Sequence, residues 1–292
     1  MATTTTTSLS QVVLTVYSKE VMFHAQPNLK YAQFATKKTE LGVDPGLSIV
    51  FTKYNNITKG GALTENTPMS TQALTASQIT ITVTEYGNAI SVSEKLLQSA
   101  FDDTLSNGAR LLGYDYATVL DDMLRDTVMG VTNVLYNGGT SRATVSKVMD
   151  AAIIKDAIRY LKENLARPYN GQYWVCFVTP KQGRDLTDDP EFQKSTDYAL
   201  TFAGEIGRIG NVVFVETTQQ PVVKQTAGDD DSADIHRAVI FGDNVYGFAE
   251  SLPVEMRDGG IVDFGRTHNL AWYSIMGSGL IEEDSAYILE TL

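Results

Sequence analysis

The chain has 292 residues, 43% hydrophobic and 20% charged, and carries a formal net charge of −12 at pH 7. This composition is that of a soluble globular protein, and the negative charge argues against a face that binds nucleic acid through cationic contacts to phosphate. The longest apolar run, residues 173–178, is far shorter than the roughly 20 residues of a membrane span, and the single Cys176 excludes a disulfide within the chain. We therefore expect a soluble protein of cytoplasmic origin.

The N-terminal section differs from the remainder in charge. Residues 1–60 contain six lysines and three acidic residues, giving +3, whereas the remainder carries −15. Thr3 to Thr7 open the chain as a polar run without periodicity, which predicts an extended or solvated tail. The charge asymmetry has two interpretations: an ordinary solvated face, or an arm that lies on the acidic body of another copy.

Two alternating stretches then predict a long β-hairpin. Apolar residues alternate with polar ones over 47–52, interrupted by Val50, and more cleanly over 77–84, and the two stretches are separated by a polar section rich in glycine and asparagine. The phase reverses before Ile90 and Val92, which predicts a bulge at 85–88. Because an isolated two-stranded ribbon is marginal in water, the hairpin needs a partner surface, on its own body or on a neighbouring copy.

The next section predicts a capped short helix and then the longest helix of the chain. Ser93 followed by Glu94 is typical of a helix start. From about Asp103 to Met129 the apolar residues recur every three or four positions, which predicts a helix with one buried face. Asp121 and Asp122 lie off this stripe, so we expect both to face solvent and to tolerate alanine.

The pattern from residue 150 onward indicates alternating helices and strands. Asp150 is placed to cap a helix over about 151–165, followed by a buried strand at 174–178 and a short helix after Thr179. Further strands are expected at 212–216, 238–241, 270–276 and 286–289, with a polar loop over 219–234.

No residue pattern indicates catalysis or a bound cofactor or metal. His24, His236 and His268 each lack a second ligand at metal spacing, and each is expected to be an ordinary polar side chain. The acidic cluster at 229–234 lacks calcium-loop spacing, and Cys176 lies in an apolar strand that keeps a thiol inert. The glycines at 204, 207 and 210 precede a strand, whereas a dinucleotide loop follows one. We predict that the protein is not an enzyme.

The order of these parts resembles the major capsid proteins of tailed bacteriophages, which have the Hong Kong 97-type fold. The subfamily typified by the coat protein of the enterobacterial phage N-four is the most similar. The stretches that carry the resemblance are 17–21, 37–42, 54–56, 59–65, 84–89, 91–94 and 207–213. It spans almost the whole chain, is specific over the first 130 residues, and rests on element order after residue 137.

The resemblance implies an α+β fold with four parts. Residues 1–46 form an N-terminal arm, and residues 47–93 form an extended hairpin loop that reaches over a neighbouring subunit. Residues 94–145 and 250–292 form a peripheral domain that contains the long helix as its spine, and residues 146–249 form an axial domain that meets its copies around the five- and six-fold axes.

The resemblance also implies the partners. The chain is expected to assemble with itself into pentamers and hexamers of an icosahedral shell that holds double-stranded DNA without sequence-specific contacts and without a membrane. A separate scaffolding protein or self-directed assembly is implied, together with a portal and an optional decoration protein. The location is the virion, with assembly in the host cytoplasm. The predicted contacts between subunits are Lys37, Lys38, Lys53, Lys59, Gly60, Gly61 and Glu65.

Two other functions stay open from the sequence. The same fold also serves bacterial nanocompartment shells of the encapsulin type, which enclose enzymes and not DNA. An α/β enzyme with an appended hairpin is the second alternative, and it would require titratable residues that converge in the folded chain.

Overall fold

The computed structural model has helices and strands in both halves of the chain. The described residues are 30–38, 48–54, 57–62, 65, 68–69, 71–99, 104–194, 202, 204–226, 229 and 231–292. The helices are α1 (Glu94–Ser99), α2 (Thr104–Val128), α3 (Ala151–Glu163) and α4 (Pro180–Thr187). The strands are β1 (Thr36–Lys38), β2 (Ser48–Tyr54), β3 (Ala76–Thr82), β4 (Thr84–Ser93), β5 (Val134–Tyr136), β6 (Trp174–Val178), β7 (Gln193–Lys194), β8 (Glu205–Ile209), β9 (Val212–Glu216), β10 (Val222–Lys224), β11 (Asp234–Phe241), β12 (Tyr246–Val262), β13 (Thr267–Leu280) and β14 (Ala286–Thr291).

A four-stranded sheet and the long helix α2 form one half of the fold. The strand order is β1-β12-β13-β4, and the two long strands β12 and β13 make an antiparallel ribbon. Helix α2 packs on this sheet through its apolar stripe, where the Tyr116 and Trp272 rings meet edge to face with centroids 5.4 Å apart. Trp272 also donates its indole N–H to Asp115 over 2.7 Å, which fixes the helix along the sheet.

The second half is a larger mixed sheet that is buried on both faces. Its order is β5-β14-β11-β6-β9-β8-β7, with β10 pairing to the end of β11. In β6, Val175 and Phe177 face the core shared with α2, while Cys176 and Val178 face the core under α3 and α4. Two cores therefore lie on opposite sides of one sheet, and β6 is buried along its whole length.

The predicted helix starts are confirmed by their hydrogen bonds. Ser93 Oγ accepts from the N–H of Leu96 at 3.3 Å, and Asp150 Oδ1 accepts from the N–H of Ile153 at 3.1 Å. These side chains satisfy backbone donors that have no partner within the first helical turn. The strands predicted at 174–178 and 212–216 are also confirmed.

Two predictions about strands are wrong. The bulge predicted at 85–88 is absent, because β4 pairs with β13 over ten consecutive residues. The alternation changes phase because the chain passes at Val83 from the hairpin into the four-stranded sheet. The section 219–234 is not only a loop, because β10 pairs within it to β11. At β4 the partner strand lies in another sheet, where alternation gives no signal, and β10 is only three residues long, too short to show alternation.

The prediction for the long helix holds in its bounds and fails at Asp121. The buried face includes Leu112, Leu120 and Leu124, and Asp121 is also buried, with 1% of its surface exposed. The helix is therefore covered on a wider face than a single stripe, and the second covering element is the segment 30–38 described below. Within the described residues, no helix combines the length and the apolar character that a membrane crossing requires.

Candidate assembly surfaces

The hairpin β2–β3 is attached to the body at its root. Ile49, Phe51, Ile81 and Val83 are buried together with Ala249 of β12 in a small core of their own. The hairpin is paired in register from Ser48 opposite Thr82 to Tyr54 opposite Ala76. Its root therefore belongs to the folded subunit and buries one apolar face without any neighbour.

The far end of the hairpin is exposed. Tyr54, Ile57, Met69 and Leu74 each expose about two thirds of their surface, from 66% to 69%. The Gln72 amide bonds to both backbone groups of Thr58, at 2.8 and 3.1 Å, which holds the two sides of the tip together. Apolar side chains displayed on an ordered, otherwise polar projection are typical of a surface that meets another protein.

The seven predicted contact residues lie in three different settings. Lys37 and Lys53 form ion pairs within the subunit, with Glu250 at 2.7 Å and with Glu282 at 2.6 Å. For Lys38 the structure gives a backbone position, opposite Ala249 in the β1–β12 ladder. The remaining four are exposed at the hairpin tip, and they are Lys59, Gly60, Gly61 and Glu65. The tip residues are free to meet a neighbour, and the two paired lysines orient the arm and the hairpin on their own subunit.

Segment 30–38 of the arm is clamped by the carboxyl of Asp121. Oδ1 of Asp121 accepts the N–H of Lys30 at 3.0 Å and the N–H of Tyr31 at 2.9 Å. Burial raises the pKa of Asp121 to about 6, against the opposing effect of these hydrogen bonds and of the Lys30 charge. The Lys30 ammonium itself donates to the carbonyl of Glu216 at 2.5 Å, so the clamp joins the arm, helix α2 and the larger sheet.

An aromatic seat holds the same segment. The Tyr31 ring stacks on Phe177 with centroids 4.0 Å apart, and Tyr246 donates its hydroxyl to the Tyr31 carbonyl at 2.6 Å. Phe34 packs edge-on against Phe177 and Phe241 of the larger sheet. β1 then runs parallel to β12, opposite 247–249. Segment 30–38 is thus fixed to the body along its described length.

A second exposed apolar end lies where β12 turns into β13. Phe264 is fully exposed at the turn, and Ile261 and Val262 expose 65% and 40% of their surface beside it. Asp263, Phe264 and Gly265 all have positive φ, of 50°, 54° and 96°. Non-glycine residues rarely adopt this conformation, so the turn presents the phenyl ring at a conformational cost.

The groups considered for chemistry are isolated from one another. His236 contacts the Thr179 hydroxyl at 3.2 Å, and His268 pairs with Asp258 at 2.8 Å, as expected for ordinary polar side chains. His24 lies outside the described residues. Burial raises the pKa of the Cys176 thiol, which keeps it protonated. Among the described residues no group of three acidic, histidine or cysteine side chains is placed to hold a metal ion.

Sequence reasoning missed Asp121 and Phe264. Asp121 carries no local signal, because its partners at 30 and 31 lie about 90 residues away. Phe264 stands within Asp263-Phe264-Gly265, where a glycine after an aromatic residue marks a turn, and that signal could have been used.

The comparisons agree with this architecture. The capsid of Ralstonia phage GP4 superimposes with a TM-score of 0.74 at 16% identity, covering 88% of this chain and 87% of that one. The capsid of cyanophage Pam1 gives 0.70 at 13% identity, covering 88% of both chains. The head of Helicobacter pylori bacteriophage KHP40 gives 0.66 at 13% identity, covering 88% and 86%. At these identities the likeness shows the fold alone.

The family assignment rests on the sequence itself. No curated protein matches the chain. The family described as phage capsid protein matches residues 76–289, from the second strand of the hairpin to the last strand of the larger sheet. This range covers well over half of the chain and includes the long helix, three of the four strands of the smaller sheet, and the larger sheet as far as Leu289 of β14. The chain therefore belongs to the phage capsid protein family, and its role is that of a structural major capsid protein.

Proposed function

We propose that this capsid protein assembles into pentamers and hexamers of a closed icosahedral shell around double-stranded DNA, and that the exposed hairpin tip makes contacts between subunits. The observation that carries the proposal is the contrast along one hairpin. Its root is buried on its own subunit, while Tyr54, Ile57, Met69 and Leu74 are exposed at its far end. A projection that is ordered at its base and apolar at its end is suited to bind a neighbouring copy.

The turn at Phe264 is proposed as a second contact between copies. It lies at the end of the β12–β13 ribbon, and the hairpin leaves the same ribbon nearer its other end, beside Gly247 and Gly279. A subunit with two separate exposed apolar projections can bind different neighbours at the same time, which a closed shell requires.

The division into an arm (1–46), a hairpin loop (47–93), a peripheral domain (94–145 and 250–292) and an axial domain (146–249) stays part of this proposal. β14 pairs with β11 and β5 in the larger sheet, so the last strand of the chain ties the two regions together. We also propose membership of the N-four-type subfamily, supported by the resemblance of the stretches around the hairpin.

The remaining partners follow from the proposed shell. We place the protein in the virion, after assembly in the host cytoplasm, together with a separate scaffolding protein, a portal and an optional decoration protein. The net charge of −12 supports packaged DNA without sequence-specific contacts, because a strongly cationic lining would hold the genome tightly.

The test is removal of the hairpin tip. Residues 55–75 are replaced by Asn-Gly, which keeps the paired strands and the buried root intact. We expect a folded, soluble subunit that no longer forms shells in electron micrographs, while the parent forms shells that protect DNA from nuclease. Normal shells from the shortened chain would refute the role of the tip, and parent shells without protected DNA would refute the packaging of a genome.

A further inference from the structure

The hairpin root stands on a patch of four positions with little or no side chain. We call Gly247, Ala249, Gly277 and Gly279 the platform. Gly247 lies opposite Gly279 in the β12–β13 ladder, and Ala249 lies opposite Gly277, so all four positions face the same side of the ribbon. At these two neighbouring cross-strand pairs, the surface of the ribbon therefore consists almost entirely of backbone.

The hairpin fills the space that the missing side chains leave. A Cβ atom on Gly279 would lie 2.8 Å from Cγ1 of Ile81, and one on Gly247 would lie 2.9 Å from Cζ of Phe51. A Cβ atom on Gly277 would collide with the backbone carbonyl of Thr82. Packed carbon atoms prefer separations of about 3.5–4.0 Å, so a methyl group added at Gly279 requires a displacement of about 1 Å at the hairpin root, whereas at Gly247 the ends of side chains can give way.

A second attachment lies just outside the platform. Lys53 of β2 pairs with Glu282 at 2.6 Å, and Ile281, the residue before it, packs against the hairpin core. The root is thus fixed by close packing over the platform and by an ion pair at its side. Because the hairpin root is held at two separate points, the direction of the hairpin relative to the body is fixed. With a single attachment the hairpin could rotate about it.

We propose that the platform sets the direction in which the hairpin leaves the body, and that shell assembly depends on this direction. Gly277 positions the hairpin through the backbone of Thr82, and Gly279 does so through Cγ1 of Ile81, which is close to the backbone and cannot swing away as the end of a long side chain can. The functional half of this inference rests on the proposed role of the hairpin tip in contacts between subunits.

The direction can be measured on unassembled, full-length subunits. Spin labels on Thr71→Cys and Ala152→Cys place one probe at the exposed tip and one on an exposed position of α3, and the buried Cys176 stays unlabelled. We expect one narrow distance in the parent. Gly279→Ala and Gly279→Val are expected to shift the mean distance progressively, by about 2 Å or more for valine, since a 1 Å displacement at the root grows along the projection.

Matched variants separate direction from the mere addition of a methyl group. Gly60→Ala adds the same group at the tip, where none of the described atoms lies within 4 Å, and it should keep the parent distance. Gly279→Ala combined with Ile81→Ala vacates the colliding carbon and should return the distance toward that of the parent. If the Gly279 variants do not fold, Ala249→Gly removes the single methyl of the platform and should broaden the distance distribution.

Shell formation by the Gly279 and Ala249 variants completes the test. A shifted distance with fewer or misshapen shells in electron micrographs supports the inference. An unchanged distance in folded Gly279→Val, or in Ala249→Gly where the former is unfolded, overturns the role of the platform. A shifted distance with normal shells overturns the dependence of assembly on direction. The distances are read before assembly, so failure of the platform is distinguishable from failure of the tip deletion.

Discussion

Replacing Asp121 by asparagine is expected to stabilise the unassembled subunit near neutral pH. Both hydrogen bonds from Lys30 and Tyr31 end on Oδ1, and asparagine retains an oxygen at that position. The substitution therefore keeps the clamp on the arm and removes only the buried charge. The pKa of Asp121 rises from 3.8 to about 6, and each pKa unit corresponds to about 1.4 kcal/mol. The ionised form thus costs up to about 3 kcal/mol at pH 8.

The sign of the pH dependence follows from the same shift. The folded subunit binds the Asp121 proton more tightly than the unfolded chain does, so this residue contributes stability that is complete below pH 3.8 and is lost as the pH rises through about 6. The excess free energy of unfolding of Asp121→Asn over the parent should therefore be largest at pH 8 and should vanish toward pH 4. Comparing the two proteins at each pH cancels the titration of the other carboxyl groups.

Leucine at position 121 is the matched control, because it has nearly the shape of asparagine and no acceptor. It leaves the buried N–H of Tyr31 and the part-buried N–H of Lys30 without this acceptor, at up to about 1–3 kcal/mol each, so Asp121→Leu should be less stable than Asp121→Asn by about 1–6 kcal/mol. Urea denaturation of unassembled subunits at pH 4.5, 6 and 8 measures all three proteins. A parent more stable than Asp121→Asn at pH 8, or a difference that does not change with pH, would refute the reasoning.

Three further predictions concern packing and contacts. Leu112→Ala should lower the free energy of unfolding by about 2–5 kcal/mol. Alanine at the neighbouring Leu111, which is 67% exposed, should change it by no more than about 0.5 kcal/mol. Equal losses in denaturant melts would contradict a one-sided contact between the helix and the sheet. Phe264→Asn should leave the stability of the subunit unchanged or raise it by up to about 1 kcal/mol, because asparagine tolerates positive φ. Electron micrographs of this variant should show fewer shells. Normal shells would show that the turn makes no contact needed for assembly. Lys37→Glu places a second carboxylate beside Glu250 and should destabilise the subunit by about 1 kcal/mol, less in high salt, and a salt-independent loss would point to packing instead.

The features predicted well from sequence are those whose cause is local. The long helix was predicted as about 103–129 and is found at Thr104–Val128, because its apolar spacing persists over many turns. The second hairpin strand alternates cleanly and the first does so except at Val50, which agrees with their observed pairing. The helix caps at Ser93 and Asp150 are hydrogen bonds to backbone groups three residues away, so the local sequence predicts them as well.

The features that were missed depend on partners distant in the chain. Asp121 stands five positions after Tyr116 on the helix, outside the stripe that faces the sheet, and only the arm segment at 30–31 buries it. The phase reversal at Val83 marks a strand that leaves one sheet for another, which alternation cannot distinguish from a bulge. The polar composition of the hairpin tip predicts its exposure, but the scattered apolar side chains within it carry no sequence signal that they are exposed too.

The arm and the hairpin are mounted on the same three residues of β12. β1 pairs in parallel with 247–249 along one edge of that strand, and two of those positions, Gly247 and Ala249, also carry the hairpin root on one face. Lys37 reinforces the first attachment through Glu250, one residue further along β12. A displacement of β12 caused by tension on the arm would therefore reach the hairpin through direct contacts, because close-packed interiors transmit strain. Segment 30–38 and the hairpin are thus coupled inside the subunit through β12, and the clamp at Asp121 holds the first residues of that segment.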